Sequence, residues 1–538
     1  MVISQNLPST VCGRGDPRAS ARPAPAEAGG EGVPQFRNIE NTLTRAGQAT
    51  KVASAQAAVS RRSRKRDRGR FAAALIGTLL LAAPAAAAER AGEAAFRALY
   101  KELVETNTTV STGSCNLAAE RMAARLKAAG YADADIRLFK GPEERPLDGG
   151  LVATLPGADP KARAILLLSH LDVVEAKRAD WERDPFAFIE DGGWFYGRGV
   201  SDDKAHGAIF TDAMVRLKAG KPPRRTVKLA LTCGEEGGPF NSAKWLVENH
   251  RDWIDAEFAL NEGGGGKADA AGKPISLSFQ AGEKVYQDFV LETRNPGGHS
   301  SRPRPDNAIY DLAAGLTALA QNDFPVQLSD TTRAYFGAMA DISGGATATA
   351  IRALMINPQD AAANAIVSRD PGWHSTLRTT CVATMLDAGH ARNALPQRAT
   401  ANVNCRMFPG DSVDKVRGQI AERLGNPAIT VTPRASENPE KAAPPPPLSP
   451  QVYGPAVALA KKHFPGVPLI PAMSTGATDG RYLNAAGIAT YGMPGRFGMP
   501  DGNGVHGLNE RISVIGVLNE RDYLFDLITA YANARDVK

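Results

Sequence analysis

Three apolar runs in this chain each end on residues able to hold a cation. Leu166–Ser169 leads into His170-Leu171-Asp172, Val227–Cys233 into Gly234-Glu235-Glu236, and Ala259–Asn261 into Glu262. In an open sheet of parallel strands, groups just beyond the carboxyl ends converge on one crevice, so these side chains are expected to meet. A fourth group, Gly197-Arg198-Gly199-Val200-Ser201-Asp202-Asp203-Lys204, sets two adjacent acids at a glycine-flanked turn. A fifth, Gly504-Val505-His506-Gly507-Leu508-Asn509-Glu510, carries another histidine. Imidazole nitrogen and carboxylate oxygen suit a divalent metal, and crowded carboxylates need a cation to balance them. The chemistry in prospect is hydrolysis, because a bound cation polarises a carbonyl and makes water nucleophilic at neutral pH.

Each feature alone has a plainer use. A histidine after a strand is more often packed or exposed than bound to metal, Asp202 or Asp203 could cap a helix, and Asp172 could cap a turn. Only 8 histidines occur in 538 residues, however, and two of them stand in motifs beside clustered acids, which favours a metal over coincidence.

Taken in order, the motifs resemble the family of two-zinc hydrolases that includes glutamate carboxypeptidase, aminoacylase, acetylornithine deacetylase and succinyl-diaminopimelate desuccinylase. The likeness runs from about Ala95 to Ala532. It rests on Ser-His-Leu-Asp-Val-Val (169–174), Trp181 with Asp184-Pro185-Phe186, Gly-Arg-Gly-Val-Ser-Asp-Asp-Lys (197–204), Gly-Glu-Glu (234–236), Gly-Gly-His-Ser-Ser (297–301) and His-Gly-Leu-Asn-Glu (506–510). The resemblance implies two zinc ions, with manganese or cobalt as substitutes, bridged by Asp202. His170 and Glu262 would complete one site, Glu236 and His506 the other. Glu235 would take a proton from the attacking water and pass it to the leaving amine, and Asp172 would accept the second N–H of His170 and fix that ring. The resemblance also implies that His299 steadies the oxyanion, often across a dimer interface, while Asn393 and Arg406 hold the substrate, Arg406 by a carboxylate. Gly-Ala-Thr-Asp-Gly-Arg-Tyr (476–482) resembles a loop lining the pocket. Two departures are Asn404, where Asp is expected, and Ala205, where Gly usually follows the lysine. Neither touches the implied ligands.

Regular elements must hold these residues in place. Helical patterns at Ala95–Val104, Leu117–Ala129, Gly207–Leu217 and Ala243–Asn249 alternate with strand runs at Ala164–Leu168, Val227–Thr232 and Phe258–Asn261. That order predicts an α/β domain over 89–284, its largely parallel sheet flanked by helices. Near Val285 the pattern changes: an alternating run Tyr286–Thr293, a helix Ile309–Leu319, an alternating run Ala399–Met407, a helix from Ser412 and a strand Ala428–Val431. This predicts a smaller α+β insert over 285–434, and the resemblance makes it a ferredoxin-like lid or dimerisation domain that could pair two copies. Residues 325–390 fit no pattern and are expected to elaborate the insert. Residues 435–538 are expected to complete the first domain, with Pro444–Pro447 marking a hinge or linker before its helix and strand patterns resume.

With 43% hydrophobic and 22% charged residues, the chain can bury more than one core. Its formal charge of +6 is carried by the leader: residues 1–88 hold +8 and the remainder −2, which excludes nucleic acid as an expected partner. Within that leader, Arg61–Arg70, the apolar Phe71–Ala83 and Ala86-Ala87-Ala88 have the layout of a signal peptide over 61–88, implying a periplasmic or secreted protein. The apolar run falls short of the ~20 residues that span a bilayer, so no stable membrane span is expected after cleavage. Residues 1–60 read as disorder or as a misplaced start, with translation expected to begin at Val52 or Val59. Cleavage leaves Cys115, Cys233, Cys381 and Cys405, with three pairings open and buried free thiols as the alternative.

An exported carboxypeptidase or dipeptidase acting on small peptides is the first expectation, since an extracellular location suits scavenging. A deacylase of N-acyl amino acids is the second. An inactive binding protein on the same fold is the third, opposed by the intact Glu235 and five intact donors.

Overall fold

Ile165–His170, Val227–Thr232 and Phe258–Asn261 are buried almost throughout, as strands covered on both faces must be. Their side chains alternate between two cores. Leu167, Leu229 and Leu260 join Phe210, Met214 and Leu524 on one face, while Leu166, Leu168 and Ala259 join Leu246 and Leu483 on the other. The first face is covered by helices Glu93–Val104, Cys115–Ala128, Lys204–Ala219 and Val514–Asn533, the second by Ser242–Asn249 and Gly480–Ala485.

The computed structural model describes residues 89–435, 443–493 and 495–536. The leader readings over 1–60 and 61–88, including a start at Val52 or Val59, lie outside the described residues. In the ten-stranded sheet, Val227–Thr232, Ile165–His170, Phe258–Asn261 and Ala489–Gly492 run parallel, side by side, at the centre. Ile136–Phe139 and Gly150–Leu155 extend one margin antiparallel. Gly265–Ala268, Pro274–Glu283, Leu469–Ser474 and Phe497–Gly498 build the other. Strands that follow residue 450 therefore complete the sheet begun before residue 284.

A second sheet is antiparallel throughout, in the order Thr380–Ala388, Arg398–Met407, Val285–Arg294, Thr430–Pro433. Helices Ala308–Gln321 and Val413–Leu424 lay Leu312, Val416 and Ile420 over Phe289, Leu291 and Val403. In chain order this is β-α-β-β-α-β, the ferredoxin-like arrangement. Ser412 caps the second helix, its hydroxyl accepting from Lys415 N. At the register pair Asp288↔Asn404, Asn404 donates to Asp288 Oδ1 at 2.9 Å, a bond an aspartate would replace with repulsion.

Residues 325–390 divide between the insert's sheet and helices with a core of their own. Only Thr380–Ala388 joins the insert's sheet. Four helices, Asp330–Ser343, Gly345–Ile356, Ala361–Val367 and Pro371–Thr376, gather their own core around Phe336, Ile351, Leu354 and Leu377. Thr331 Oγ1 donates to Ala281 O at 3.0 Å, tying the first of them to the large sheet. Their apolar residues satisfy one another locally, which is why no sheet-wide pattern marks them.

The four body cysteines form two disulfides, Cys115–Cys233 and Cys381–Cys405, so the free-thiol alternative gives way. The first joins the start of a helix to the residue after Val227–Thr232; the second crosses directly opposed positions of neighbouring strands. No helix among the described residues is long and apolar enough to cross a membrane.

Candidate active site

The parallel strands deliver their terminal residues to one end of the sheet, as expected. His170 is the last residue of its strand, with its side chain 1% exposed. Its Nδ1 lies 2.9 Å from the backbone oxygen of Asp172, which turns Nε2 toward Asp202 Oδ1 at 3.2 Å and Glu262 Oε1 at 3.7 Å. The other oxygen of Asp202, Oδ2, stands 3.1 Å from His506 Nε2, and the same nitrogen lies 2.9 Å from Glu236 Oε2. One carboxylate thus serves two donor triads, His170–Asp202–Glu262 and Asp202–Glu236–His506, each with its ligand atoms within 4.8 Å of one another.

Asp172 departs from its expected part. Its carboxylate is 3.6 Å from His170 Nδ1 and accepts instead from the backbone N–H groups of Glu236 at 3.0 Å and Glu235 at 3.4 Å. The extended segment brings the Asp172 carbonyl nearer the ring than the side chain, so the backbone orients the imidazole. The carboxylate fixes the turn that presents Glu235 and Glu236.

The turn carrying Asp202 is over-determined. Buried Glu510 accepts from the N–H groups of Gly199, Ser201 and Asp202 at 2.9, 2.8 and 3.1 Å. Asp203 is the residue before helix Lys204–Ala219 but makes no side-chain cap. Its carboxylate accepts from Ser169 Oγ at 2.7 Å and faces His206 Nδ1 at 2.5 Å. Lys204, wholly buried, donates to Thr106 O at 2.7 Å, and burial pulls its ammonium down to about 7. His506 occupies the left-handed region at φ 56°, a conformation non-glycine residues hold only where surrounding contacts enforce it.

Electrostatics agree with a cation site. Burial pushes Glu236 and Glu262 up to about 7, an effect His170 only partly offsets. Glu235 is held well above the usual carboxylate range by burial and then by neighbouring Glu262. His506 rises to about 9 through its hydrogen bond to Asp202. Four carboxyl groups and two imidazoles within reach of one another share too few protons to be comfortable at neutral pH, and oxygen and nitrogen donors in two triads fit divalent cations.

The implied substrate residues belong to neither donor triad. His299 is exposed, with Nδ1 2.8 Å from Ser301 Oγ, on a two-residue ladder in which Gly298 and His299 pair with Leu395 and Ala394. Ser300 N donates to Asn393 O at 3.0 Å, so Asn393 and His299 share one patch. Arg406 lies over the Tyr286 ring at 4.8 Å, at the far end of strand Arg398–Met407. Eight residues of strand separate Arg398 from Arg406, roughly 26 Å at ~3.3 Å per residue, so this strand does not bring Asn393 and Arg406 to one place.

Sequence reasoning gave no role to Glu510 or Asp479. Asp479 accepts from Asn241 Nδ2 at 2.6 Å and Thr232 Oγ1 at 2.9 Å behind Glu235. Glu510 ends His-Gly-Leu-Asn-Glu (506–510) and Asp479 lies in Gly-Ala-Thr-Asp-Gly-Arg-Tyr (476–482), and that proximity to the ligand motifs is the only signal the sequence carries for either.

A largely parallel core, an inserted antiparallel sheet and a carboxylate-rich centre at the strand ends define a metal-dependent amidohydrolase. The chain belongs to Peptidase family M20/M25/M40, whose model matches residues 166–530. It is 29% identical over 400 residues to the human N-fatty-acyl-amino acid synthase/hydrolase PM20D1, covering 70% of this chain and 75% of that one. It is 28% identical over 391 residues to the probable carboxypeptidase S-like 2 of Dictyostelium discoideum, covering 70% and 73%. Among solved structures it resembles the M20 family metallo-carboxypeptidase Sso-CP2 of Sulfolobus solfataricus, with a TM-score of 0.57 and 18% identity over 82% of this chain and 99% of that one.

Proposed function

We propose that the protein is an exported two-zinc amidohydrolase that cleaves an amide bond whose amine side carries a free carboxylate. The observation that carries this reading is the single carboxylate of Asp202 facing both His170 and His506. His170, Asp202 and Glu262 would hold one cation, and Asp202, Glu236 and His506 the other. Bound there, two cations would supply polarisation of the scissile carbonyl and a lowered pKa for the attacking water. Glu235, half-buried and with its pKa held high, would accept the proton of that water and deliver it to the leaving nitrogen. Asp172 holds Glu235 and Glu236 in register through their backbone N–H groups.

The human relative favours an N-acyl amino acid as substrate, and the carboxypeptidase S-like relative favours a peptide with a free C-terminus. The two readings share the bond and differ in the acyl side. Two disulfides support an oxidising location, in line with the leader. The same reading includes a homodimer through the insert. Its edge strand Thr380–Ala388 exposes Val382, Met385 and Leu386 beside unpaired backbone, and His299 with Asn393 would then serve the partner's centre. Metal analysis paired with hydrolysis of matched dipeptides and N-acyl amino acids tests the proposal. Activity surviving complete chelation would refute it.

A further inference from the structure

A cavity of about 270 Å³ opens beside the donor cluster, with Asp202 and Glu262 among its lining residues. Its floor is the backbone of four consecutive glycines, Gly263–Gly266, and Phe497, Val505 and Ile512 contribute apolar walls. The wall is bare where side chains would otherwise stand. A Cβ on Gly265 would meet nothing within 4 Å, and one on Gly498 only Gly266 O at 3.7 Å. At Gly265 and Gly498 the lining thus lacks a side chain that would enter the space, whereas a Cβ on Gly263 would meet Gln280 Oε1 at 2.5 Å and one on Gly266 would clash with Arg496 O.

Charge decides which end of the substrate it takes. Among the described residues Arg496 is the only cationic side chain lining it, and that guanidinium is already paired with Glu520. Its Nη1 lies 3.0 and 2.8 Å from the two Glu520 oxygens, and Nη2 donates to Ser201 O at 2.9 Å. A substrate carboxylate would find that cation already engaged and would face Asp202 and Glu262. An uncharged apolar group would cover Phe497 and Val505 at no such cost.

We propose that this glycine-floored cavity is the acyl subsite, so that the amino-acid half with its carboxylate leaves on the opposite flank. The inference rests on the amide-hydrolase reading and adds its specificity. At ~30 Å³ per water-sized volume, the space holds about nine non-hydrogen atoms, which matches a medium-length acyl chain. Each buried methylene then raises kcat/KM about fourfold, levelling off near eight to ten carbons, where the chain emerges into solvent.

The test uses the metal-loaded full chain and N-acylglycines from acetyl to hexadecanoyl. Gly498→Ala and Gly498→Leu fill the cavity by degrees at ordinary contact distance, and the alanine variant remains informative if leucine impairs folding. The ratio of kcat/KM for octanoyl over acetyl is expected to fall about threefold in Gly498→Ala and at least tenfold in Gly498→Leu. Ratios within twofold of the parent in both would overturn the assignment. Binding of N-octanoylglycine by calorimetry in the Glu235→Gln background, with and without Gly498→Leu, gives a readout independent of turnover. Equal affinity again rejects the subsite. If the parent hydrolyses none of the series, the calorimetric pair decides the cavity by itself, and failure on matched dipeptides as well would refute the function reading instead.

Discussion

Arg198 and Glu510 form a buried ion pair, Nη1 to Oε2 at 2.8 Å, that joins the turn carrying Asp202 to the loop carrying His506. Arg198 also donates to Gly507 O at 2.7 Å, so both strands of the connection close on the ligand loop. The two cation sites are thus coupled through protein as well as through the shared carboxylate.

Replacing Glu510 by Gln keeps the shape but turns one acceptor oxygen into a donor facing donors. Breaking one side of a buried pair costs about 3–5 kcal/mol because the remaining charge has no partner. Glu510→Gln should lower the melting temperature, weaken metal retention during dialysis and reduce kcat/KM at least tenfold, with partial recovery in excess metal. Unchanged metal content and melting would show that the turn holds itself.

Glu235→Gln removes a proton carrier without removing a ligand from either triad. Turnover should fall by about a hundred- to ten-thousandfold, the usual contribution of a positioned acid–base group. Metal content by mass spectrometry should match the parent. Loss of metal in this variant would make Glu235 a ligand and reassign the base.

Metal should stabilise the fold more as pH rises. Glu236 and Glu262 have folded values near 7 against an ordinary 4.5, so their contribution is complete below about 4.5 and lost as pH climbs through about 7. His506, raised to about 9, shifts in the same sense between about 6.5 and 9. Cations do the work of those protons, and comparing loaded with chelated protein cancels titrations elsewhere. Paired melting curves at pH 5, 6, 7 and 8 should give a widening gap. A gap that is flat or narrows would contradict the assigned ligands.

The sequence disclosed the centre because buried parallel strands write themselves as unbroken apolar runs, and ligands follow where the runs stop. Val227–Thr232 and Phe258–Asn261 were readable to the residue, and Ile165–His170 nearly so. Glu510 was hidden for the opposite reason: its role lies in backbone N–H groups more than 300 residues away, which no side-chain pattern encodes. Cys115 and Cys233, 118 residues apart, could not be paired without the fold that sets a helix start beside a strand end. The helices between Asp330 and Thr376 pack largely on each other, so neither sheet's period marks them.

His299 offers a test of the paired arrangement. In one chain it is exposed on the ladder with Ala394, its ring Nδ1 lying 3.2 Å from Ser301 N and 2.8 Å from Ser301 Oγ. A donor to a developing oxyanion typically contributes about a hundred- to a thousandfold, so His299→Ala should be nearly inactive if it serves any centre. Glu235→Gln is inactive for a separate reason. When the two variants are unfolded together and refolded, mixed dimers contain one centre with an intact Glu235 and an intact partner's histidine, and activity should return. Sedimentation would confirm that dimers formed. Mixed dimers without recovered activity would place His299 on its own chain's centre or on none, and the edge strand Thr380–Ala388 would then need another explanation for its exposed Val382, Met385 and Leu386.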